Sequence, residues 1–348
     1  MQTVMFRSKE VLPKLKANKN GPAWMTWLIN PNGKMGGMIA IDGEELWLTH
    51  LNRAEGQDEV TDEAIDTQIR QIIGSPINYE VINTELWQLN RVVAENYSRG
   101  NVFLAGDAAH SWPPWAGHGM NTGIEDAIGL TWLIAAVIKG WAPETILGAY
   151  HSERQNVGEK VSRAAEGMAA VLIEISQNPE LISKLEQQDE EGEKARKRVR
   201  HMLLDNDSQQ FNPEGLNFGL HYDRSPLIIY DDGVAPDYEV ENYTPSTVPG
   251  CRAPFFAMAE DGSSIYDYLS DGYTLLRSDE SLDVSEFVDA AEACAMPFKV
   301  IDIGHQPRAR RVYDQKLVLV RPDNRVAWRS DQMPNDAQQI IDKIRGLA

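Results

Sequence analysis

The sequence predicts a mixed α/β protein with an α+β arrangement of sheets and helices, and three observations support this fold class. Three short β-rich runs lie between residues 23 and 51, an apolar run at 101–107 leads into a long apolar helix, and strands alternate with helices from residue 263 onward. Hydrophobic residues make up 42 % of the 348 residues, which is enough for well-packed cores. At roughly 150 residues per domain, this length predicts about two domains.

The chain is acidic, with 33 basic and 52 acidic side chains and a formal net charge of −19. An acidic chain repels phosphate backbones and anionic headgroups, so we expect neither nucleic acid nor a membrane as a partner. Cys251 and Cys294 are far apart and predict no disulfide framework, and His110 and His118 lack a third nearby ligand, so no metal site is predicted. The first ten residues carry charges and no apolar run, unlike a signal peptide, so a cytoplasmic location is expected.

Residues 1–100 are predicted to form a β-sheet domain. The runs at 23–30, 35–41 and 45–51 are β-rich, and the Asn32-Gly33 and Asp42-Gly43 pairs between them are typical hairpin turns, which predicts a three-stranded meander. A helix over 62–74 follows from isoleucines at helical spacing, with Thr61 as its cap and Gly74 as its end. Residues 79–93 return to strand character.

Residues 101–207 are predicted to be a strand followed by helices. The predicted strand 101–107 is continuously apolar from Val102 to Ala105, which is typical of a strand buried on both faces of a parallel sheet. The helix at 119–139 is apolar nearly all round and is therefore expected inside a core, with further helices at 144–176 and 180–205. The basic run 194–200 has acids at helical spacing beside it, which favours a solvated helix face over a phosphate site.

The remaining chain divides into an arm and a small domain. Residues 208–262 contain six prolines and are predicted to be a loop-rich linker arm. Residues 263–348 show a β-α-β and then β-β-α order, with strands at 273–277, 298–303, 316–321 and 325–329 and helices at 284–294 and 335–346. This order is that of a thioredoxin-like domain. We therefore predict boundaries near residues 100, 207 and 262.

The segment that carries chemistry is GDAAHSWPPWAGHGMNTGIEDA, residues 106–127. It joins the end of a strand to the start of a helix, where open α/β sheets bind ligands. Gly117 and Gly119 let a flat or phosphorylated ligand approach the backbone, and the N–H groups at a helix start favour an electron-rich ligand edge. Asp107 is a pure acceptor, suited to the hydroxyls of a ribityl or ribose chain. From the residues alone, a cofactor loop and a plain strand–turn–helix connection both stay open.

This segment resembles the second flavin-binding motif of the single-component FAD-dependent aromatic hydroxylases, which include phenol and aromatic-polyketide monooxygenases. The resemblance is carried by Gly106-Asp107-Ala108-Ala109-His110, Pro113-Pro114, Gly117-His118-Gly119-Met120-Asn121 and Asp126-Ala127. It extends over nearly the whole chain, because residues 250–277 and 316–329 are similar to the thioredoxin-like C-terminal domain of many members. The resemblance implies part of an FAD/NAD(P)-binding hydroxylase fold, with a β-sheet substrate domain, a helical segment and that C-terminal domain.

The resemblance also implies roles for the residues of this segment. Asp107 would hold the ribityl hydroxyls of FAD, Pro114 would lie beside the reactive edge of the ring, and three backbone groups would meet its pyrimidine edge. The full set implied to bind the cofactor is Gly106, Asp107, Ala108, Pro114, Gly117, Gly119, Met120 and Asn121. The implied reaction uses NAD(P)H and O₂ to hydroxylate an aromatic small molecule, and no residue of this chain is assigned as acid, base or nucleophile. Trp112, Trp115 and Ala116 depart from the usual pattern.

Two features of the family are missing from the sequence. There is no GxGxxG turn, which cradles the FAD pyrophosphate, and no Asp-Gly motif associated with NADPH. The chain therefore resembles the carboxyl-terminal portion of a hydroxylase, expected to need an N-terminal complementing chain or a homo-oligomer. Losing three hydrogen bonds of roughly 1.5–3 kcal/mol would weaken FAD binding about a thousandfold or more. The alternative is a non-catalytic remnant or an interaction module without independent flavin binding.

Overall fold

The computed structural model describes residues 2–17, 21–29, 35–51, 61–88, 90–258 and 262–347. Its contacts divide these residues into two compact units. The first unit comprises residues 1–90 and 167–207, and the second comprises residues 91–166 and 208–348. The boundaries predicted near residues 100, 207 and 262 stay a prediction.

The first unit is built on a five-stranded antiparallel sheet in the order β2-β3-β4-β1-β5. Its strands are β1 (Gln2–Arg7), β2 (Met25–Ile29), β3 (Met35–Ala40), β4 (Leu46–Leu51) and β5 (Glu80–Leu86). The predicted meander is confirmed as β2, β3 and β4, whereas β1 was not predicted. The Asn32-Gly33 turn lies outside the described residues. At the other turn, Asp42 Oδ1 accepts hydrogen bonds from the backbone N–H groups of Glu44, Glu45 and Leu46.

The first unit also contains two helices. In the sequence, α1 (Val11–Ala17) follows β1, and α2 (Asp62–Ile73) precedes β5. The predicted ends of α2 are confirmed, because the Thr61 side chain caps it and Gly74 ends it with a left-handed φ of 74°. Alternate side chains of a strand face the same side, and Val4 and Phe6 of β1 join Ile65 and Ile69 of α2 in one buried cluster. The core of this unit therefore lies between the sheet and α2.

Three further helices lie between residues 149 and 211. They are α4 (Ala149–Ser176), α5 (Pro179–Lys184) and α6 (Glu190–Phe211). The helix predicted over 180–205 is thus two helices. Lys194 and Lys197 pair with Glu190 and Glu193 one turn before them, at 3.0 and 3.6 Å, and these side chains are exposed. This pairing confirms the prediction of a solvated helix face for the basic run.

The predicted buried parallel strand at 101–107 is wrong. The second unit has only short strands here: β6 (Val92–Val93), β7 (Ser98–Arg99), β8 (Val102–Phe103) and β9 (His110–Ser111). Among the described residues, β8 pairs antiparallel with β7 and with no other strand, and Val102 is 66 % exposed. A strand buried on both faces needs parallel neighbours, and no parallel pair involves the described residues before 150.

The next helix, α3 (His118–Ile138), was expected inside a core, and the structure places only one of its sides there. One side packs into the core through Trp132, Leu133 and Ala136. The opposite side carries an apolar stripe that is largely exposed, formed by Met120, Ile124, Ile128 and Ile138. By length and composition alone, Trp115–Ile138 is also apolar enough to cross a membrane, a test that core helices of soluble proteins pass as well.

The carboxyl-terminal part is a four-stranded sheet in the order β11-β10-β12-β13, covered by helices α7 (Ser285–Ala293) and α8 (Ala337–Ile344). The strands are β10 (Tyr273–Arg277), β11 (Phe298–Asp302), β12 (Leu317–Val320) and β13 (Val326–Ser330). β10 and β11 are parallel and the other pairs are antiparallel, which confirms the predicted order of elements. The loop-rich arm runs along β13, where Ile229 N–H donates to Ala327 O at 2.9 Å.

Candidate functional site

The segment 106–127 forms two adjoining turns on the first half of α3. A short 3₁₀ turn spans Gly106–Ala108, and a second spans Trp115–Gly117 directly before the helix. Gly106 has a φ of 58°, which favours glycine. A Cβ added at Gly123 would lie 3.0 Å from the Gly106 Cα, so the first turn rests closely on the helix. The two ends of the segment are thereby held side by side.

Asp126, on α3, anchors the first turn. Its carboxylate is completely buried and accepts hydrogen bonds from the Gly106 N–H at 3.2 Å, from His110 Nε2 at 2.8 Å and from Arg154 Nε at 2.8 Å. Burial raises the pKa of Asp126, but the hydrogen bond from His110 and the charge of Arg154 outweigh it, and the pKa is held below its usual value. Asp126 is therefore an ionised group that fixes the backbone next to Asp107.

Arg154, on α4, is the buried counterion of this carboxylate. Besides Asp126 it donates to Glu125 Oε2 at 3.1 Å, to the Thr122 carbonyl at 3.3 Å and to the Tyr222 hydroxyl at 3.4 Å. Burial lowers the pKa of Arg154, but Tyr222, Glu125 and Asp126 raise it above its usual value, so the guanidinium stays charged. One turn earlier, the Tyr150 hydroxyl donates to the Leu104 carbonyl at 2.6 Å. Helix α4 thus binds Leu104, which follows β8, through Tyr150, and it binds Asp126 of α3 through Arg154.

Aromatic packing closes the space beneath the turns. Trp112 is buried and stacks on His110, with ring centroids 4.4 Å apart and planes inclined by 22°. Trp112 Nε1, His110 Nδ1 and His118 Nε2 are buried without a hydrogen-bond partner in the part of the chain that the structure describes. Burial lowers the pKa of His118 although Glu125 opposes the shift, so its imidazole is neutral. The underside of the segment is accordingly buried and largely uncharged apart from Asp126 and its partners.

The structure brings the predicted site residues together on the outer side of the two turns. All eight are at least partly exposed, in contrast to the buried anchors beneath them: Gly106, Asp107, Ala108, Pro114, Gly117, Gly119, Met120 and Asn121. Asp107 makes no hydrogen bond or ion pair within the described residues, so its carboxylate is a free acceptor. The Asn121 side chain, in contrast, has a partner within the segment, since its Nδ2 donates to the Gly117 carbonyl at 2.9 Å.

These residues fit a flavin. The free Asp107 carboxylate suits sugar-chain hydroxyls, the Cβ-free backbone at Gly117 and Gly119 admits a flat ring, and the first turn of α3 offers N–H groups to its polar edge. The chain contains no GxGxxG for the pyrophosphate. In the described ranges, no three His, Cys, Asp or Glu side chains are grouped as a metal site requires.

Sequence reasoning missed the residues that position the site. Asp126 belongs to the motif, but no role was assigned to it from the sequence. Arg154 and Tyr150 were not identified as candidates at all. The adjacent acids Glu125 and Asp126 on an otherwise apolar helix were the available signal, because a carboxylate that is buried with the helix must find a partner. Nothing in the local pattern identifies Arg154, 28 residues away, as that partner.

Two family models match parts of the chain. Residues 1–165 match a family model described as FAD binding domain, and residues 246–347 match one described as aromatic-ring hydroxylase, C-terminal. The chain is similar to the FAD-dependent monooxygenase opdD of Penicillium oxalicum, with 29 % identity over 99 % of the chain and 68 % of the relative. It is also similar to phenol 2-monooxygenase of a Pseudomonas species, with 30 % identity over 80 % of the chain and 51 % of the relative.

Solved structures show the same likeness. The rebeccamycin biosynthetic enzyme RebC with reduced flavin superposes on all of the chain and 63 % of RebC, with a TM-score of 0.83 and 28 % identity. The flavin-dependent monooxygenase PieE in complex with FAD and substrate matches 99 % of the chain and 64 % of PieE, with a TM-score of 0.80 and 25 % identity. The chain thus spans about half to two thirds of the length of the proteins it matches. The predicted fold class, aromatic-hydroxylase resemblance and FAD cofactor are confirmed.

Proposed function

We propose that this chain carries the isoalloxazine-facing part of an FAD-dependent monooxygenase that hydroxylates a phenolic or polyketide-like aromatic substrate with NAD(P)H and O₂. The observation that carries the proposal is the paired turn on α3, where a free carboxylate and a glycine-lined backbone lie next to a helix start. FAD supplies the redox and oxygen chemistry when bound. The names of the relatives, which include a phenol 2-monooxygenase and a putative polyketide hydroxylase, support the substrate class.

In this proposal the chain's own residues bind and orient the cofactor. Asp107 accepts hydrogen bonds from the ribityl hydroxyls, Pro114 borders the ring, and the backbone of Gly119, Met120 and Asn121 meets its pyrimidine edge. Asp126 keeps the Gly106 N–H in place, so the turn carrying Asp107 is already ordered before the cofactor binds. Preorganisation of this kind lowers the entropic cost of binding.

We further propose that the site is completed by a segment carrying a GxGxxG turn, on this or another polypeptide. The exposed apolar stripe of α3 supports this, since Met120 is 72 % and Ile138 is 80 % exposed. Val102 of β8 is also exposed, at 66 %. Large exposed apolar side chains that form a patch mark interaction sites. The greater length of the relatives leaves room for such a segment.

FAD binding tests the proposal. It is measured from the visible spectrum after incubation with FAD and desalting, and the Kd is measured by a titration with FAD. Replacing Asp107 by Ala is expected to raise the Kd for FAD about tenfold or more, because a hydrogen bond to a charged group contributes roughly 1.5–3 kcal/mol. Glu144→Ala is the charge-matched control, since Glu144 is exposed on a different 3₁₀ turn. Equal Kd values for the two variants would contradict the proposed site.

The second candidate is a non-catalytic interaction module, and the missing GxGxxG favours it. It predicts no change in the flavin spectrum on adding the chain, either alone or with a separately produced GxGxxG-bearing segment of a relative. Flavin retention only in the presence of that segment supports the completed-site proposal instead.

A further inference from the structure

A buried ionic network connects the C-terminal sheet to the flavin-motif helix. Arg321 follows β12, and its side chain is fully buried. Its guanidinium binds both carboxylate oxygens of Glu153 on α4, at 2.6 and 2.8 Å, although the two residues are 168 positions apart. The same guanidinium donates to Asp323 at 2.8 Å and lies 5.0 Å from the ring centroid of Trp132 on α3. A bidentate arginine pair of this kind fixes both distance and orientation.

Glu153 is followed directly by Arg154, the counterion of Asp126. Successive helical residues point about 100° apart, so α4 holds Arg321 on one side and Asp126 on another. Tyr222 spans both pairs, because its hydroxyl accepts from Arg154 at 3.4 Å while Arg321 lies 5.5 Å from its ring centroid. The buried contacts therefore run without interruption from Arg321 to Asp126.

We infer that Arg321 is a positioning residue for the turn at Gly106–Ala108, acting through Glu153, Arg154 and Asp126. The two carboxylate oxygens of Asp126 have different partners, one on α4 and the other in the segment that carries the turn. Oδ1 accepts from Arg154, and Oδ2 accepts from the Gly106 N–H and His110. A displacement of α4 at position 153 is thus transmitted to the backbone that carries Asp107. The consequence for FAD rests on the proposed function, whereas the connection itself does not.

The test uses Arg321→Lys in the full chain, because lysine keeps the charge and loses the bidentate geometry. We expect amide hydrogen exchange at Gly106 to become about tenfold faster and the His110 ring ¹⁵N resonances to shift. The matched control is Arg277→Lys. Arg277 makes a similar bidentate pair with Asp302 in the same sheet, at 2.6 and 3.1 Å, and its hydrogen bonds in the described residues go to Asp302 and Leu282.

A purely structural role for Arg321 would lower the Tm in both variants and leave Gly106 and His110 unchanged in both, which would overturn the inference. If Arg321→Lys does not fold, the double variant Glu153→Gln/Arg321→Gln, which removes both charges of the pair, is measured in its place. A titration with FAD separates the two proposals. Faster exchange at Gly106 together with no FAD binding, either by the chain alone or with the separately produced GxGxxG-bearing segment, would support the positioning role and contradict the proposed function. A Kd for FAD raised about tenfold alongside the faster exchange would support both.

Discussion

Two buried carboxylates, Asp126 and Glu153, determine the polar interior of the second unit. Each lies within hydrogen-bond distance of a buried arginine from a distant part of the chain, Arg154 and Arg321 respectively. Taking an ion out of water costs several kcal/mol, and only a well-oriented partner offsets that cost. At this scale the candidate site is defined less by the exposed residues that would touch a ligand than by the charges beneath them.

Replacing Arg154 by Met is therefore expected to lower the free energy of unfolding by about 3–5 kcal/mol, because the Asp126 carboxylate is left buried without its counterion. The measurement is urea denaturation near neutral pH. Adding Asp126→Asn to the same chain should recover part of the loss. Arg163→Met is the control on the same helix, since Arg163 pairs with Glu159 at the surface and its loss should change little. A loss no larger than that of the control would contradict this account.

The pH dependence of stability follows from histidines that are buried and neutral. Burial holds the pKa of His118 below its ordinary value near 6.5, so the unfolded chain binds more protons than the folded chain between the two pKa values. Stability then rises with pH across this window, and the Tm should fall as the pH is lowered from about 7.5 to about 5.5. His118→Gln should reduce this slope, whereas His201→Gln, at an exposed position, should not. An unchanged slope in His118→Gln would show that this histidine does not contribute.

Among the elements, α3 combines two different surfaces along one helix. Its buried side packs Trp132 and Leu133 into the core, and its first turns support the loop through the close approach of Gly123 to Gly106. Glycine within a helix is unfavourable by roughly 0.5–1 kcal/mol relative to alanine, so its presence at 123 needs a packing reason. The packing reason is the close approach of the Gly106–Ala108 turn, which leaves little space for a Cβ at position 123.

Two helical glycines give a matched comparison. Gly167→Ala on α4 has open space around the new Cβ and is expected to stabilise the chain by about 0.5–1 kcal/mol. Gly123→Ala places a Cβ 3.0 Å from the Gly106 Cα and should lose this gain while disturbing the first turn. Thermal unfolding measures both. Equal stabilisation by the two substitutions would mean that the close approach imposes no constraint.

At the scale of the whole molecule, a net charge of −19 favours solubility, yet the apolar stripe of α3 lies at the surface. Contiguous exposed apolar side chains promote association. We expect Ile124→Lys/Ile128→Lys to reduce self-association measured by sedimentation velocity, without lowering the Tm. Ile173→Lys, at an exposed position of α4, is the control and should leave association unchanged. If both variants self-associate to the same extent, the apolar stripe of α3 does not promote association. It would then no longer support the proposal that a further segment completes the site.

The features that the sequence predicted are mainly local ones. The caps of α2, the strands of the meander and the order of the C-terminal elements depend on neighbouring residues, and the structure confirms them. The strand at 101–107 was predicted wrongly, and α3 is buried on one side only. The reason is that an apolar pattern indicates a preference for burial and not whether a partner is present. The ionic pairs between α4 and residues 126 and 321 were missed because pairing over such separations leaves no periodic signal.

The left-handed Ala116 has a further consequence. Its φ of 57° is one that alanine rarely adopts, at a cost of about 1–2 kcal/mol, and it stands directly before Gly117, which is also left-handed. The shape of the second turn is therefore imposed by the surrounding contacts rather than chosen by its own residues. The turn between β9 and α3 is therefore conformationally strained in the folded chain. We expect it to be among the first parts of the second unit to open. Ala116→Gly removes the strain at this residue and should slow the opening.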